Sequence, residues 1–255
     1  MSHLRAVSLA IVCAFAFLAS FVPVQAAESE LECWKLSQWT REDGNLDLYV
    51  TKSAVRIFCP KNGLCLVAAA PWKEVSLFCT KTGNVFKTTP AKFHNPYLTA
   101  MGLLQGGSFA EITVAVRGPV KHLDLPCQMM IEQPGFSQRQ ISKHKNAIIG
   151  NRSPLKLAYI VTDYFKVDPH VGQVISKFYT TPVANSVPLQ LTYTTMVSTQ
   201  EKQLTTSSCK KMRVKAVEFT VPAGMKAVND SKKVLVPDLS DGALDLMMMG
   251  RSKFK

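Results

Sequence analysis

The sequence contains no Cys-x-x-Cys, no His-x-x-x-His and no other close set of metal-ligating residues, which excludes a structural zinc site of the usual spacing. Gly102 and Gly106-Gly107 fit neither glycine pattern that cradles phosphate, so nucleotide-dependent chemistry has no anchor. No Gly-x-Ser-x-Gly elbow occurs, and no Ser-x-x-Lys stands beside the motifs that accompany it in serine acyl-enzymes. Histidine is scarce: besides His3 near the N-terminus, His94, His122, His144 and His170 stand singly in Pro-flanked or Lys-rich segments, as surface histidines do. Acidic residues are also few, 18 Asp and Glu against 30 Lys and Arg, which leaves a formal charge of +12. These absences lead to the expectation of a protein without cofactor, without metal and without catalytic activity. A Cys and a His meeting in space to form a nucleophilic pair is the remaining enzymatic alternative.

What is present is globular. Hydrophobic residues make up 47% of the 255 and charged residues 19%, enough for one large or two small domains that bury a core without depending on disulfides. The longest apolar run, Ala6 to Val22, follows Arg5 and precedes Pro23 and the small-residue pattern Val24-Gln25-Ala26. Residues 1–26 therefore read as a secretory signal cleaved after Ala26, since the run is near or below the ~18–20 apolar residues that span a bilayer; an uncleaved N-terminal anchor helix is the alternative. The expected location is periplasmic or extracellular, where thiols oxidise. Six cysteines follow the signal, Cys33, Cys59, Cys65, Cys79, Cys127 and Cys209, an even set that favours disulfides. The expected organisation is one domain over 27–239 with an irregular insertion near 123–155, and a tail over 240–255.

From Leu46 the chain changes from a polar, Trp-containing opening (Trp34, Trp39) to short strand-like runs separated by turn residues, the pattern of an antiparallel meander. Strands are expected at 46–51, 54–59, 64–70, 75–79 and 84–88. Because side chains two apart share a face, Val55, Ile57 and Cys59 lie together, as do Cys65, Val67 and Ala69, and Val75, Leu77 and Cys79. A three-residue loop at Lys61-Asn62-Gly63 sets Cys59 opposite Cys65 and makes the pair a disulfide candidate; two reduced, buried cysteines are the alternative. Residues 89–110 read as loop with a short helical segment, 111–117 as alternating, and Gly118-Pro119 as a break. A strand at 156–162 precedes the clearest helix, about 169–180, with Asp168 as N-cap, Pro169 in the first turn and Val171, Val174, Ile175, Phe178 and Tyr179 on one face. Further strands are expected at 189–196, 202–207 and 211–221.

Lys211, Arg213 and Lys215 alternate with Met212, Val214 and Ala216, so one strand presents cations outward and apolar groups inward. This is either an ordinary solvated face or a surface drawn to anionic lipid headgroups, at ~1 kcal/mol per basic residue. Nucleic acid is not an expected partner, because no aromatic-basic recognition motif accompanies the charge.

The Trp-containing opening, the meander carrying Tyr49-Val50-Thr51-Lys52-Ser53-Ala54-Val55-Arg56-Ile57 and Val67-Ala68-Ala69-Ala70-Pro71-Trp72, the late helix, and Phe219-Thr220-Val221-Pro222-Ala223-Gly224-Met225-Lys226 after the closing strand are distributed in a familiar order. The arrangement resembles the periplasmic lipoprotein-carrier group of LolA, LolB and their lipid-binding relatives. That resemblance implies an α+β fold, a strongly curved antiparallel half-barrel covered by one or two helices, with an apolar cavity for acyl chains. The sequence departs from the carriers in its six cysteines, its irregular middle and the lack of an arginine that matches the carriers' functional one, so no site residue is carried over. Independently, a sheet with one apolar face must be covered, and a helix of about 12 residues spans only ~18 Å. Either 97–104 and the Met-rich tail complete the cover, or a groove is left for a hydrophobic ligand. Val55, Ile57, Val67, Val75, Leu77, Val174 and Phe178 are the side chains expected to line that groove. The expected function is non-enzymatic binding of a lipid, lipoprotein acyl chain or other hydrophobic small molecule in the cell envelope; the alternative is a structural or interaction domain with a filled core.

Overall fold

The structure, a computed structural model, describes residues 29–95, 109–135, 154–195 and 200–235. The signal at 1–26, the short helical segment at 97–104 and the tail at 240–255 lie outside the described residues. In chain order the strands are β1 (Glu30–Thr40), β2 (Gly44–Val50), β3 (Ala54–Cys59), β4 (Leu64–Ala69), β5 (Val75–Cys79), β6 (Asn84–Thr88), β7 (Val114–His122), β8 (Leu125–Glu132) and β9 (Pro154–Thr162). Helix α1 (Pro169–Tyr179) is followed by β10 (Val187–Thr195), β11 (Gln200–Lys215) and β12 (Lys226–Val228). All twelve strands join one open, curled sheet in the order β12-β6-β5-β4-β3-β2-β1-β11-β10-β9-β8-β7. Every pairing is antiparallel except β12 with β6.

The meander from β2 to β6 stands where the turn signals put it, and α1 begins as expected. The Asp168 carboxylate accepts the backbone N–H of His170 at 2.9 Å, and Thr180 closes the helix in the left-handed region at φ 52. Among the described residues there is one α-helix, the lower of the two expected counts. Its buried face, including Val171, Val174, Ile175, Phe178 and Tyr179, packs against β3 and β10 within the principal core.

Four expectations change. The opening segment is a strand, β1, whose inward positions include Gln38 and Thr40, both buried, and these interrupt the apolar rhythm that would mark it in sequence. β7 runs through Gly118-Pro119 because it is the last strand of the order, where a missing N–H is tolerated, and because a register shift between Val116 and Gly118 absorbs the kink. β8 occupies part of the stretch expected to be irregular. The two late strands are one, β11, 16 residues long, and residues 216–219 are a 3-10 turn instead of strand.

The register of β3 and β4 corrects the disulfide candidate. Gly63, at φ 76, donates its N–H to the Cys59 carbonyl at 2.9 Å, and Cys59 pairs with Leu64 across a four-residue loop. One residue of slip reverses the face of the whole strand. Leu64, Leu66 and Ala68 therefore join Val55, Ile57 and Cys59 in the principal core, while Cys65 and Val67 form a second cluster with Phe78 and Val85. Cys59 and Cys65 are on opposite faces, no bridge joins them, and all six described cysteines are free thiols.

Both faces of this half of the sheet are covered, which is why β4 and β5 are buried along nearly their whole length. The concave face carries α1. On the convex face, the segment after β11 crosses back as a strap: Phe219 packs on Cys33 and Ala54, Val221 and Met225 pack on the cluster around Cys65, and β12 joins β6.

Candidate functional site

Of the side chains expected to line a groove, Val55, Ile57, Val75, Leu77 and Phe178 are 0% exposed and Val174 is 1% exposed. The structure brings these six together in the principal core beneath α1. Val67 is the exception, turned to the convex face by the register just described.

Buried polar groups fasten the helix to the sheet. Tyr179 donates its hydroxyl to Gln38 Oε1 at 2.6 Å, and Gln38 Nε2 donates to the Pro188 carbonyl at 2.9 Å and to Thr206 Oγ1 at 3.0 Å. Thr206 in turn donates to the Leu189 carbonyl at 2.7 Å, and Tyr159 and Thr181 share a hydroxyl bond at 3.1 Å. Burial raises both tyrosine hydroxyls, Tyr159 to about 12, so both stay neutral, and Tyr179 donates to Gln38. At the β1–β2 turn, burial pushes the Asp43 carboxyl up to about 6, with the Glu42 charge adding to the shift and Lys61 opposing it.

The distant end of the sheet is less well covered. Val114, Val120, Leu125 and Met130 of β7 and β8 are partly buried against the core, and Val116 is 58% exposed. Here apolar side chains and solvent meet along the last two strands.

The basic strand is partly neutralised. Lys211 Nζ lies 3.0 Å from Glu32 Oε1, and Arg213 Nη1 lies 3.6 Å from Glu30 Oε2. Glu30 and Glu32 stand on β1, whose pairing with β11 has no signal in the sequence, so sequence reasoning could not place them there. Met212 and Val214 face not the core but the convex surface, where they line a pocket of about 230 Å³ with Tyr49, Arg56, Lys215, Glu218 and Phe219. Arg56 is held by the rings of Tyr49 and Phe58, whose centroids are 5.2 and 5.5 Å from its guanidinium carbon. Its Nη1 meets Glu218 Oε2 at 3.1 Å. Sequence reasoning places Arg56 only within a motif. The signal that marks it is an arginine flanked at two-residue spacing by an aromatic on its own strand.

Five of the thiols are held in the protonated form by burial. Burial raises Cys33, Cys65 and Cys209 each to about 11 and raises Cys59 and Cys127 as well, which is the opposite of what activates a cysteine nucleophile. Among the described residues no group of three or more His, Cys, Asp and Glu is placed to hold a metal.

No protein family and no curated protein matches the sequence. Solved structures resemble it in architecture. A conserved protein from Thermus thermophilus shares 11% identity at a TM-score of 0.42, over 80% of this chain and 92% of that one. A LolA superfamily protein from Nitrosomonas europaea shares 7% at 0.23, over 76% and 91%. An outer-membrane lipoprotein-sorting domain from Vibrio parahaemolyticus shares 8% at 0.23, over 71% and 84%.

Proposed function

We propose that the chain is an exported cell-envelope domain that binds a hydrophobic molecule, a lipid or an acyl chain, without catalysing a reaction on it. The observation that supports this reading is a mismatch of size. A 12-stranded sheet is roughly 50 Å across at ~4.8 Å per strand, whereas the 11 residues of α1 reach ~16 Å. The helix fills the concavity beside β3 and β10. Among the described residues, apolar surface is left over on β7 and β8, where Val114, Val120, Leu125 and Met130 are only partly buried and Val116 is exposed. This reading places the ligand at this end of the sheet; a pocket of about 470 Å³ beside α1, lined by Val174 with Trp72, His170 and Lys177 among others, is the other opening next to the helix. The expected experiment is extraction of the purified chain with organic solvent, followed by titration of the stripped protein with a fluorescent fatty acid. Co-purifying lipid and saturable uptake, both reduced by Val116→Asp, support the reading; their absence defeats it.

A second reading is a structural or interaction domain with a filled core and no small ligand. It is favoured by the complete burial of Val55, Ile57, Val75, Leu77 and Phe178. The two readings differ at Val116: a charge there abolishes uptake under the first, whereas under the second there is no uptake to lose.

A further inference from the structure

We propose that the pocket on the convex face, floored by Arg56 and partly closed by Glu218, binds the head of a single-chain anionic amphiphile. This goes beyond the site at β7 and β8 and does not depend on it. The pocket lies on the opposite side of the sheet from α1, between β2–β3, the end of β11 and the 3-10 turn at Ala216–Phe219.

Three observations point to the ligand class. The first is a fixed cation. Arg56 is clamped between two aromatic rings, so little conformational freedom is lost when its planar fork engages an anion. One of its nitrogens is engaged by Glu218 at 3.1 Å and the guanidinium also interacts with the Cys65 thiol, yet a guanidinium carries five N–H donors, which leaves capacity for a second carboxylate or phosphate. The second is the field around it. Lys215 lines the pocket, whereas Lys35, over the same Tyr49 ring at 5.3 Å from its centroid, is already paired with Asp47 at 3.0 Å and adds little. The third is an apolar rim. Met212 and Val214 line the pocket, and Met212 is 39% exposed, so apolar surface lies directly beside the charge.

The volume decides between a whole lipid and its head. At about 230 Å³ the pocket is smaller than the ~300–1,000 Å³ that encloses a drug-sized ligand. It holds an anionic group and its first few carbons, with the remaining chain lying over Met212 and Val214. Glu218 is then an internal competitor: its carboxylate occupies Arg56 in the empty state and repels the incoming anion.

The test is titration of the full chain with dodecyl phosphate below its micellar concentration, with dodecyl maltoside and inorganic phosphate as separate arms. The expected result is saturable binding of dodecyl phosphate that tightens about fivefold in Glu218→Gln, as a like charge is removed from a low-dielectric pocket, and weakens about tenfold or more in Arg56→Met. Equal binding of dodecyl maltoside overturns the role of charge, and equal binding of inorganic phosphate overturns the amphiphile. Binding that ignores both substitutions overturns the site. Circular dichroism checks that Arg56→Met is folded; if it is not, Met212→Asp on the exposed rim serves instead and is expected to weaken binding. Val116→Asp separates the two sites, because it is expected to leave the Glu218→Gln effect intact whether or not fatty acid is taken up at β7 and β8.

Discussion

Asp43 is the residue whose chemistry most directly couples the fold to pH. Its Oδ2 is buried without a hydrogen-bond partner, and burial lifts its carboxyl from 3.8 to about 6. Below about pH 4 the group is neutral in both folded and unfolded chains and costs nothing. Between pH 4 and 6 the unfolded chain ionises first, so stability falls as pH rises, and above pH 6 the whole cost is present. A shift of this size corresponds to about 2–3 kcal/mol. Glu42, also raised by burial, acts in the same direction. Asp43→Asn is therefore expected to stabilise the protein by up to about 2 kcal/mol at pH 7 and to flatten the slope between pH 4 and 6, as read by urea denaturation across that range. A variant no more stable than the parent at pH 7 contradicts the assignment. Residue-scale features of this kind are hidden in the sequence: Asp43 reads as part of a turn signal, and only the packing of the turn against Tyr179 and Cys59 makes it a buried acid. Cys59 and Cys65 are legible as buried cysteines but not as belonging to opposite faces, because the loop between them closes with four residues instead of three.

At the scale of elements, α1 shows what sequence states plainly and what it omits. Its cap, its first-turn proline and its apolar face are all readable. Gly172 is not, although it governs how closely the helix approaches the loop before β10. A Cβ there would lie 2.6 Å from the Ser186 carbonyl oxygen and 2.7 Å from that of Ala184, both backbone atoms. Gly172→Ala improves helix propensity by ~1 kcal/mol but forces the helix away from the sheet, at an overpacking cost of typically 1–3 kcal/mol. With Tyr179 tied to Gln38, the helix has little room to shift, so the net effect is expected to be destabilising by about 1–2 kcal/mol, measurable as a lowered melting temperature. A neutral or stabilising result rules out the close approach. The strands divide in the same way. β2 to β6 are legible because each is short, apolar and closed by a turn that the sequence marks. β1 is not, because its place between β2 and β11 lets it bury Gln38 and Thr40, which are satisfied by Pro188, Thr206 and the Asp43 N–H.

On the scale of the whole molecule, the decisive feature is that one half of the sheet is covered twice. A two-residue rhythm tells which residues share a face, as it does for Val75, Leu77 and Cys79 of β5, but β4 is apolar on both faces, so the rhythm there has no phase to read. Only the strap from Ala216 to Val228, distant in sequence, explains the second apolar face, and it also creates the Arg56 pocket that sequence reasoning missed. The arrangement has a chemical signature. Cys59 and Cys79 lie in the core beneath α1, whereas Cys33 and Cys65 lie beneath the strap, Cys33 against Phe219 and Cys65 in the cluster with Val221 and Met225. Removing the Phe219 ring, 6% exposed, costs about 3 kcal/mol or more and loosens the strap before the core. Phe219→Ala is therefore expected to accelerate native-state labelling of Cys33, and to a smaller extent Cys65, by a thiol reagent, while Cys59 and Cys79 react only on the timescale of global unfolding. Mass spectrometry of the labelled peptides reads this directly. Simultaneous acceleration of all four thiols would mean that strap and core unfold as one unit, and the picture of two separately covered faces would then have to be abandoned.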